Sequence, residues 1–285
     1  MRSDVLRETP IVIQYTAKAG KWILLIGYLG VAILPLLWLG MSSFKTEFEI
    51  ISAPLSLPQS LHYENFVNAI RISGLHRFFL NSFIVATCAT TFNLFICSLA
   101  AFAVARERWR LRSTFLTFST AMVLVPIISF MVPYYALILR LGLFNSIWAL
   151  VLTYTAINIP ISLFLITNFM KALPSELDDS AVIDGCNFWQ RFSKIVLPLT
   201  KPGLATAGTF AVIGSWNEFV YAMLLTSSER ARTVQFAVRF FSSEFRDDYG
   251  GMFAAIVLTM IPTIFIYILM HDKIVSGVTA GAVKG

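Results

Sequence analysis

Residues 174–202 read PSELDDSAVIDGCNFWQRFSKIVLPLTKP, a polar stretch set between two apolar ones. It is too polar to cross a bilayer and too rich in helix signals to be a plain connector. Ser175 stands where a helix N-cap belongs, and Asp178, three residues on, completes a capping box. Leu177, Ala181 and Asp184 then share one face at helical spacing. Gly185 ends the turn, because glycine takes the left-handed C′ conformation without steric penalty. Asn187 opens a second helix with Gln190 as its N3 partner. There Phe188, Phe192, Ile195 and Val196 form an apolar stripe, Arg191 and Lys194 face away, and Pro198 ends the helix. A short helix, a glycine elbow and an amphipathic helix predict a rigid knob on a membrane surface, a shape suited to docking another protein.

The chain around this stretch has the composition of a polytopic membrane protein. Of its 285 residues 57% are hydrophobic and 13% charged, with a mean hydropathy of +0.73. Soluble domains carry about 25% charged residues. Six apolar runs reach spanning length, at 22–42, 79–104, 114–139, 147–170, 203–225 and 252–271. The expected fold is therefore all-α with six transmembrane helices. A tail of residues 1–21 precedes the membrane domain of residues 22–271, and a tail of residues 272–285 follows it. Nothing after the first apolar run reads as a cleavage site, so that run is taken as a retained span.

Lys and Arg set the orientation. Fourteen of the 22 lie in the N-terminal tail, the 105–113 loop, the 174–202 region with its flanking Lys171, and the C-terminal tail; eight lie on the other side. The positive-inside rule places both termini and the 174–202 stretch in the cytoplasm. The net charge of +6 is concentrated on that face, which fits membrane topology and not nucleic-acid binding. Outside lie residues 43–78, with LHYENFVNAIRIS as a short surface helix, and residues 226–251. They are either solvated connectors or a landing surface for a soluble protein.

Within the spans, Pro126, Pro133, Pro160 and Pro262 each free a backbone carbonyl and kink a helix, so the helices should pack around a cavity. Glu218 is the lone acid inside a span. A buried acid faces a partner or an aqueous path, with Trp216, Asn217 and Phe219 beside it on that path. Alternatively the span is shifted and Glu218 sits at the outer headgroups. The three cysteines, Cys88, Cys97 and Cys186, show no metal or disulfide spacing. His62, His76 and His271 lie at or beyond span ends, so no metal or nucleophile set converges. The only phosphate-loop candidate, Gly20-Lys21, has Tyr15 where that motif needs glycine.

The 174–202 stretch resembles the EAA loop of ABC-importer permeases, a pattern close to ELEEAAxIDGA followed by FxxIxLPLxxP. Glu176, Leu177, Asp179, Ala181, Asp184, Gly185, Phe192, Ile195, Leu197, Pro198, Leu199 and Pro202 hold matching positions. Asp179 replaces the usual Glu, Ser180 the first Ala after it, and Cys186 the Ala after Gly. ENF at 64–66, NS at 81–82, VPYYALILRLGLFNSIWALVL from Val132, WNEF at 216–219 and the terminal SGVTAGAVKG are similar to the MalG-type permeases of carbohydrate importers.

That resemblance implies a type I ABC-importer permease fold with a cytoplasmic coupling helix, in a prokaryotic inner membrane. It implies a second, MalF-like permease, two copies of a cytoplasmic ATPase and an extracytoplasmic solute-binding protein as partners. This chain would carry no cofactor and no catalytic residue, and ATP and Mg would belong to the ATPase. Glu176, Asp179, Ser180, Ala181, Asp184, Gly185 and Pro198 would form the coupling site, and Gly281, Ala282, Val283, Lys284 and Gly285 would reach the ATPase. The alternative class is an ion-coupled sugar carrier working alone, which would bind its ion at the membrane midplane.

Overall fold

The computed structural model describes the backbone of residues 11–71, 74–236 and 248–282, and the side chains of residues 18–71, 74–236 and 248–272. Among the described residues every regular element is helical. The core is a three-helix unit of α4 (Leu75–Arg106), α7 (Ile147–Ala172) and α10 (Lys201–Asn217). Between them in sequence come α5 (Arg112–Ala121), α6 (Met131–Arg140), α8 (Glu176–Ile183) and α9 (Phe188–Leu199). The peripheral helices are α1 (Ile11–Ser42), α2 (Glu47–Ser52), α3 (Glu64–Arg71), α11 (Val220–Leu225) and α12 (Tyr249–Ala282).

Small residues bring the core helices together. A Cβ added to Gly203 of α10 would lie 2.7 Å from Cβ of Phe169 on α7, and one added to Gly208 would lie 3.1 Å from Leu94 on α4. Helices in lipid gain their association from such close packing and not from a hydrophobic force between them. Two apolar layers result. One joins Val85 and Ala89 to Leu150, Tyr154 and Leu225; the other joins Phe102 to Leu163, Ile166 and Met170, and takes in Phe192 and Val196 of α9. The knob is thus continuous with the core. Hydrogen bonds stitch the opposite end of the bundle: Asn145, at φ 60°, accepts the Ser227 and Ser228 N–H groups at 2.9 Å each, and Asn81 donates to the Arg232 carbonyl at 2.9 Å.

Among the described residues four helices are long and apolar enough to span a bilayer, at Lys18–Ser42, Leu75–Arg106, Ile147–Ala172 and Tyr249–Asp272. The third and fifth expected spans differ from straight helices. Arg112–Leu124 and Ile127–Arg140 meet at 98°. The break falls at Pro126, which lacks the N–H a continuous helix needs, and Val125 before it is extended, as a residue preceding proline prefers. The fifth, expected over 203–225, stops at Asn217 and restarts at Val220. The last helix runs to Ala282, so most of the expected C-terminal tail continues it.

Candidate functional site

The knob forms as a helix, an elbow and a second helix. Gly185 sits at φ +77°, its N–H bonds Val182 O at 3.0 Å, and the Cys186 N–H bonds Ala181 O at 2.9 Å. This is a Schellman closure, which satisfies carbonyls a helix end would otherwise leave open. Asn187 and Gln190 form the expected capping box, at 2.8 and 3.0 Å. Phe192 and Val196 are buried in the lower core layer, as the stripe requires.

Three expectations for the knob are corrected. Ser175 makes no side-chain cap; it is already helical at φ −71°, ψ −25°. The Asp178 carboxylate that the box needs is turned away to arginines. Arg191 does not face away either: it forms an ion pair with Glu107 and approaches Asp178 at 3.8 Å. Pro198 does not end the helix. The helix runs one residue past it, to Leu199, and the 76° bend into α10 follows at Thr200.

Asp178 and Asp179 are neighbours with opposite fates. Asp178 is buried, with Oδ2 3.1 Å from Nη1 of Arg106. Arg106 also donates to the carbonyls of Met170 and, at 2.9 Å, Leu173, so it caps the C-terminal end of α7, where the helix dipole favours a cation. One guanidinium therefore joins the last turn of α4, the end of α7 and the first turn of α8, and Arg191 and Glu107 repeat the link from α9 to α4. Asp179 and Asp184 are exposed, as are Glu176, Ser180 and Gly185, while Ala181 is buried beneath them. Val182, Ile183 and Trp189 add an exposed apolar surface around the elbow.

Glu218 lies at the break of the fifth span. Its carboxylate accepts the Tyr221 N–H at 2.9 Å, the Ala222 N–H at 3.1 Å and the Tyr154 hydroxyl at 2.9 Å. It thereby satisfies the first amides of α11, the task of an N-cap. Trp216 is buried against Phe79 and donates to Thr259 O at 3.3 Å; Asn217 is exposed and Phe219 half-buried. Tyr221 donates to Ile127 O at 2.9 Å, which ties this break to the one at Pro126. No group of His, Cys, Asp and Glu among the described residues could hold a metal.

Residues 94–279 match the family described as binding-protein-dependent transport system inner membrane component. The chain belongs to this family. The permease is 35% identical to the probable ABC transporter permease protein YurM of Bacillus subtilis, over 95% of its own length and 90% of that protein's. It is 34% identical, over the full length of both chains, to the trehalose/maltose transport system permease protein MalG of Thermococcus litoralis. A crystal structure of a bacterial ABC transporter involved in importing the acidic polysaccharide alginate has a chain that superposes with a TM-score of 0.81 at 18% identity. It covers 93% of the permease and 98% of that chain, and shows the fold. The ABC-importer permease fold expected from sequence is therefore present.

Of the coupling-site residues expected from sequence, Glu176, Asp179, Ser180, Ala181, Asp184, Gly185 and Pro198 are gathered in one knob. Gly281 and Ala282 close α12, and Val283, Lys284 and Gly285 lie outside the described residues. Sequence reasoning missed Arg106, Glu107 and the inward role of Asp178. One signal was available: Asp178 is three residues before the buried Ala181 and shares its face.

Proposed function

We propose that the permease carries oligosaccharides or related sugars across a prokaryotic inner membrane by alternating access, driven by ATPase subunits that dock on the knob. The observation that carries this reading is the division of labour between adjacent acids. Asp178 locks the knob to the ends of α4 and α7, while Asp179, Asp184 and Gly185 stand exposed around the elbow. A surface so braced transmits a push as a rigid body. The partners would be a MalF-like second permease, two ATPase copies holding ATP and Mg, and an extracytoplasmic binding protein, with both termini of this chain cytoplasmic. The cargo class rests on the sugar transport named for its relatives. The ion-coupled alternative finds no support, because Glu218, the acid it needs, is engaged in capping α11. The test is copurification in mild detergent. The tagged chain should bring an ATPase and a second permease, and Asp179→Lys should lose the ATPase alone. Recovery of this chain by itself, moving sugar in liposomes without ATP, would overturn the reading.

A further inference from the structure

Two cavities lie end to end between α5 and α7, and their chemistry changes sharply from one to the next. The first, about 280 Å³, lies beside the start of α5 and the end of α7 and is lined by Arg112, Ser113, Thr117 and Lys171 with Val104 and Ala105 behind them. It belongs to the same end of the bundle as the knob, because neighbouring Arg106 binds the carbonyls that lead into α8. The second, about 770 Å³, runs up α7 past Ile161 and Phe164, with Val123, Leu124 and Phe210 closing it and Asn168 as its one amide. Leu116 and Thr117 line both, so the two cavities adjoin along α5.

We propose that this pair of cavities is a binding site for an anionic phospholipid of the leaflet on the knob side, its phosphate held by Arg112 and Lys171 and an acyl chain in the apolar cavity. Charge complementarity selects the headgroup. Two cations and two hydroxyls line the polar cavity without an acid, and none of the four side chains has a hydrogen-bond or ion-pair partner among the described residues. Arg112 also opens α5, whose N-terminus has no side-chain cap, so the helix dipole adds to the same field. Basic pockets between membrane helices recognise lipid phosphates in this way. The apolar cavity decides against a sugar as the occupant, since apart from Thr117, Thr120 and Asn168 its lining is apolar and the Thr120 hydroxyl is already given to the Leu116 carbonyl, and against free inorganic phosphate, which would gain nothing from it. This site does not depend on which solute the permease carries.

The experiment uses the permease purified with its copurifying subunits through a delipidating detergent wash, with bound lipid read by native mass spectrometry. Wild type should retain phosphatidylglycerol or cardiolipin in preference to phosphatidylethanolamine. Arg112→Ala with Lys171→Ala should lower that retention at least tenfold, and Arg112→Lys with Lys171→Arg should restore it. Leu116→Trp, which obstructs the apolar cavity and leaves both cations in place, should lower it as well and so separates the site from general surface charge. Equal anionic-lipid retention in wild type and the Ala pair would overturn the proposal. So would displacement of the lipid by millimolar inorganic phosphate without effect of Leu116→Trp, or a sugar bound at these residues. Loss of the assembly in the Ala pair leaves Leu116→Trp and the charge-conserving pair to decide by the same readout.

Discussion

The Asp178 carboxylate lies 3.1 Å from the Arg106 guanidinium, and this contact joins the knob to the membrane bundle. Arg106 joins three helices, because its Nη2 also donates to the Met170 and Leu173 carbonyls at the end of α7. Removing one partner of a buried pair leaves an uncompensated charge and costs about 3–5 kcal/mol. Asp178→Asn should therefore loosen the knob without removing its outer face. The expected outcome is faster proteolysis within 174–202, continued ATPase copurification, and ATP hydrolysis that no longer tracks transport. Asp178→Glu, which keeps the charge, should restore coupling in part. Wild-type proteolysis and coupling in Asp178→Asn would remove the network from the mechanism.

The elbow is sensitive to backbone conformation and not to space. A Cβ on Gly185 would meet nothing within 4 Å, yet the residue sits at φ +77°. An L-residue there costs about 1–2 kcal/mol, so Gly185→Ala should weaken ATPase retention modestly. Gly185→Pro requires φ near −65° and removes the N–H bonded to Val182, so it should abolish retention. Pull-down of the ATPase with both variants measures the ranking. An alanine variant as damaging as the proline one would mean that side-chain contact, and not backbone shape, matters at the elbow.

Gly203 has the opposite character. Its added Cβ would lie 2.5 Å from the Phe169 ring, so Gly203→Ala must push α10 off α7. Overpacking of this kind costs about 1–3 kcal/mol. Thermal stability in detergent should fall in Gly203→Ala, and Phe169→Ala should recover part of the loss when combined with it. Additive losses in the double variant would show that the two residues do not meet.

Local chemistry was legible in the sequence, and contacts between distant segments were not. Gly185 and the Asn187–Gln190 box depend on residues within one turn, so the local pattern specifies them. Ser175 carried an equally good local signal and lost it, because Asp178 found two arginines that packing brings to it from α4 and α9. The third and fifth spans show the same limit. Pro126 announced a kink, but its 98° angle is set by what packs around it. Apolar content ran through Glu218 without a pause, and hydropathy does not report that a carboxylate can restart a helix by binding its first amides. The fold class survived these errors because it rests on total apolar length and on the polar knob, neither of which depends on any single contact.

Outside the membrane core, Glu49 closes a capping box at the start of α2. Its pKa is held below the ordinary 4.5 by the N–H of Thr46 first and of Gln59 second. A carboxylate depressed on folding contributes stability above its unfolded pKa and loses it as pH falls through the folded value. The window lies below 4.5, so the 46–59 segment should hold its amide protection at neutral pH and shed it under acid. Hydrogen exchange across an acid series, corrected for intrinsic rates, measures this. In Glu49→Gln the acid-dependent step should vanish, and persistence of the step would assign it to another group.

Glu218 separates the two transport classes most directly. In a carrier driven by protons or cations, the lone acid of the spans would bind the coupling ion, and Glu218→Gln would abolish uptake. In the permease its oxygens hold the Tyr221 and Ala222 amides and the Tyr154 hydroxyl. Glutamine keeps one acceptor oxygen for those amides, whereas alanine keeps none. Loss of a cap costs about 0.5–2 kcal/mol. Glu218→Gln should retain ATP-dependent uptake with no new dependence on the proton gradient, and Glu218→Ala should lower thermal stability and uptake together. Tyr154→Phe removes one bond to the same carboxylate and should fall between wild type and Glu218→Ala in stability. Uptake measured in vesicles with ATP supplied and the gradient collapsed decides the matter. Abolished uptake in a stable, fully assembled Glu218→Gln complex would return the residue to the transport path.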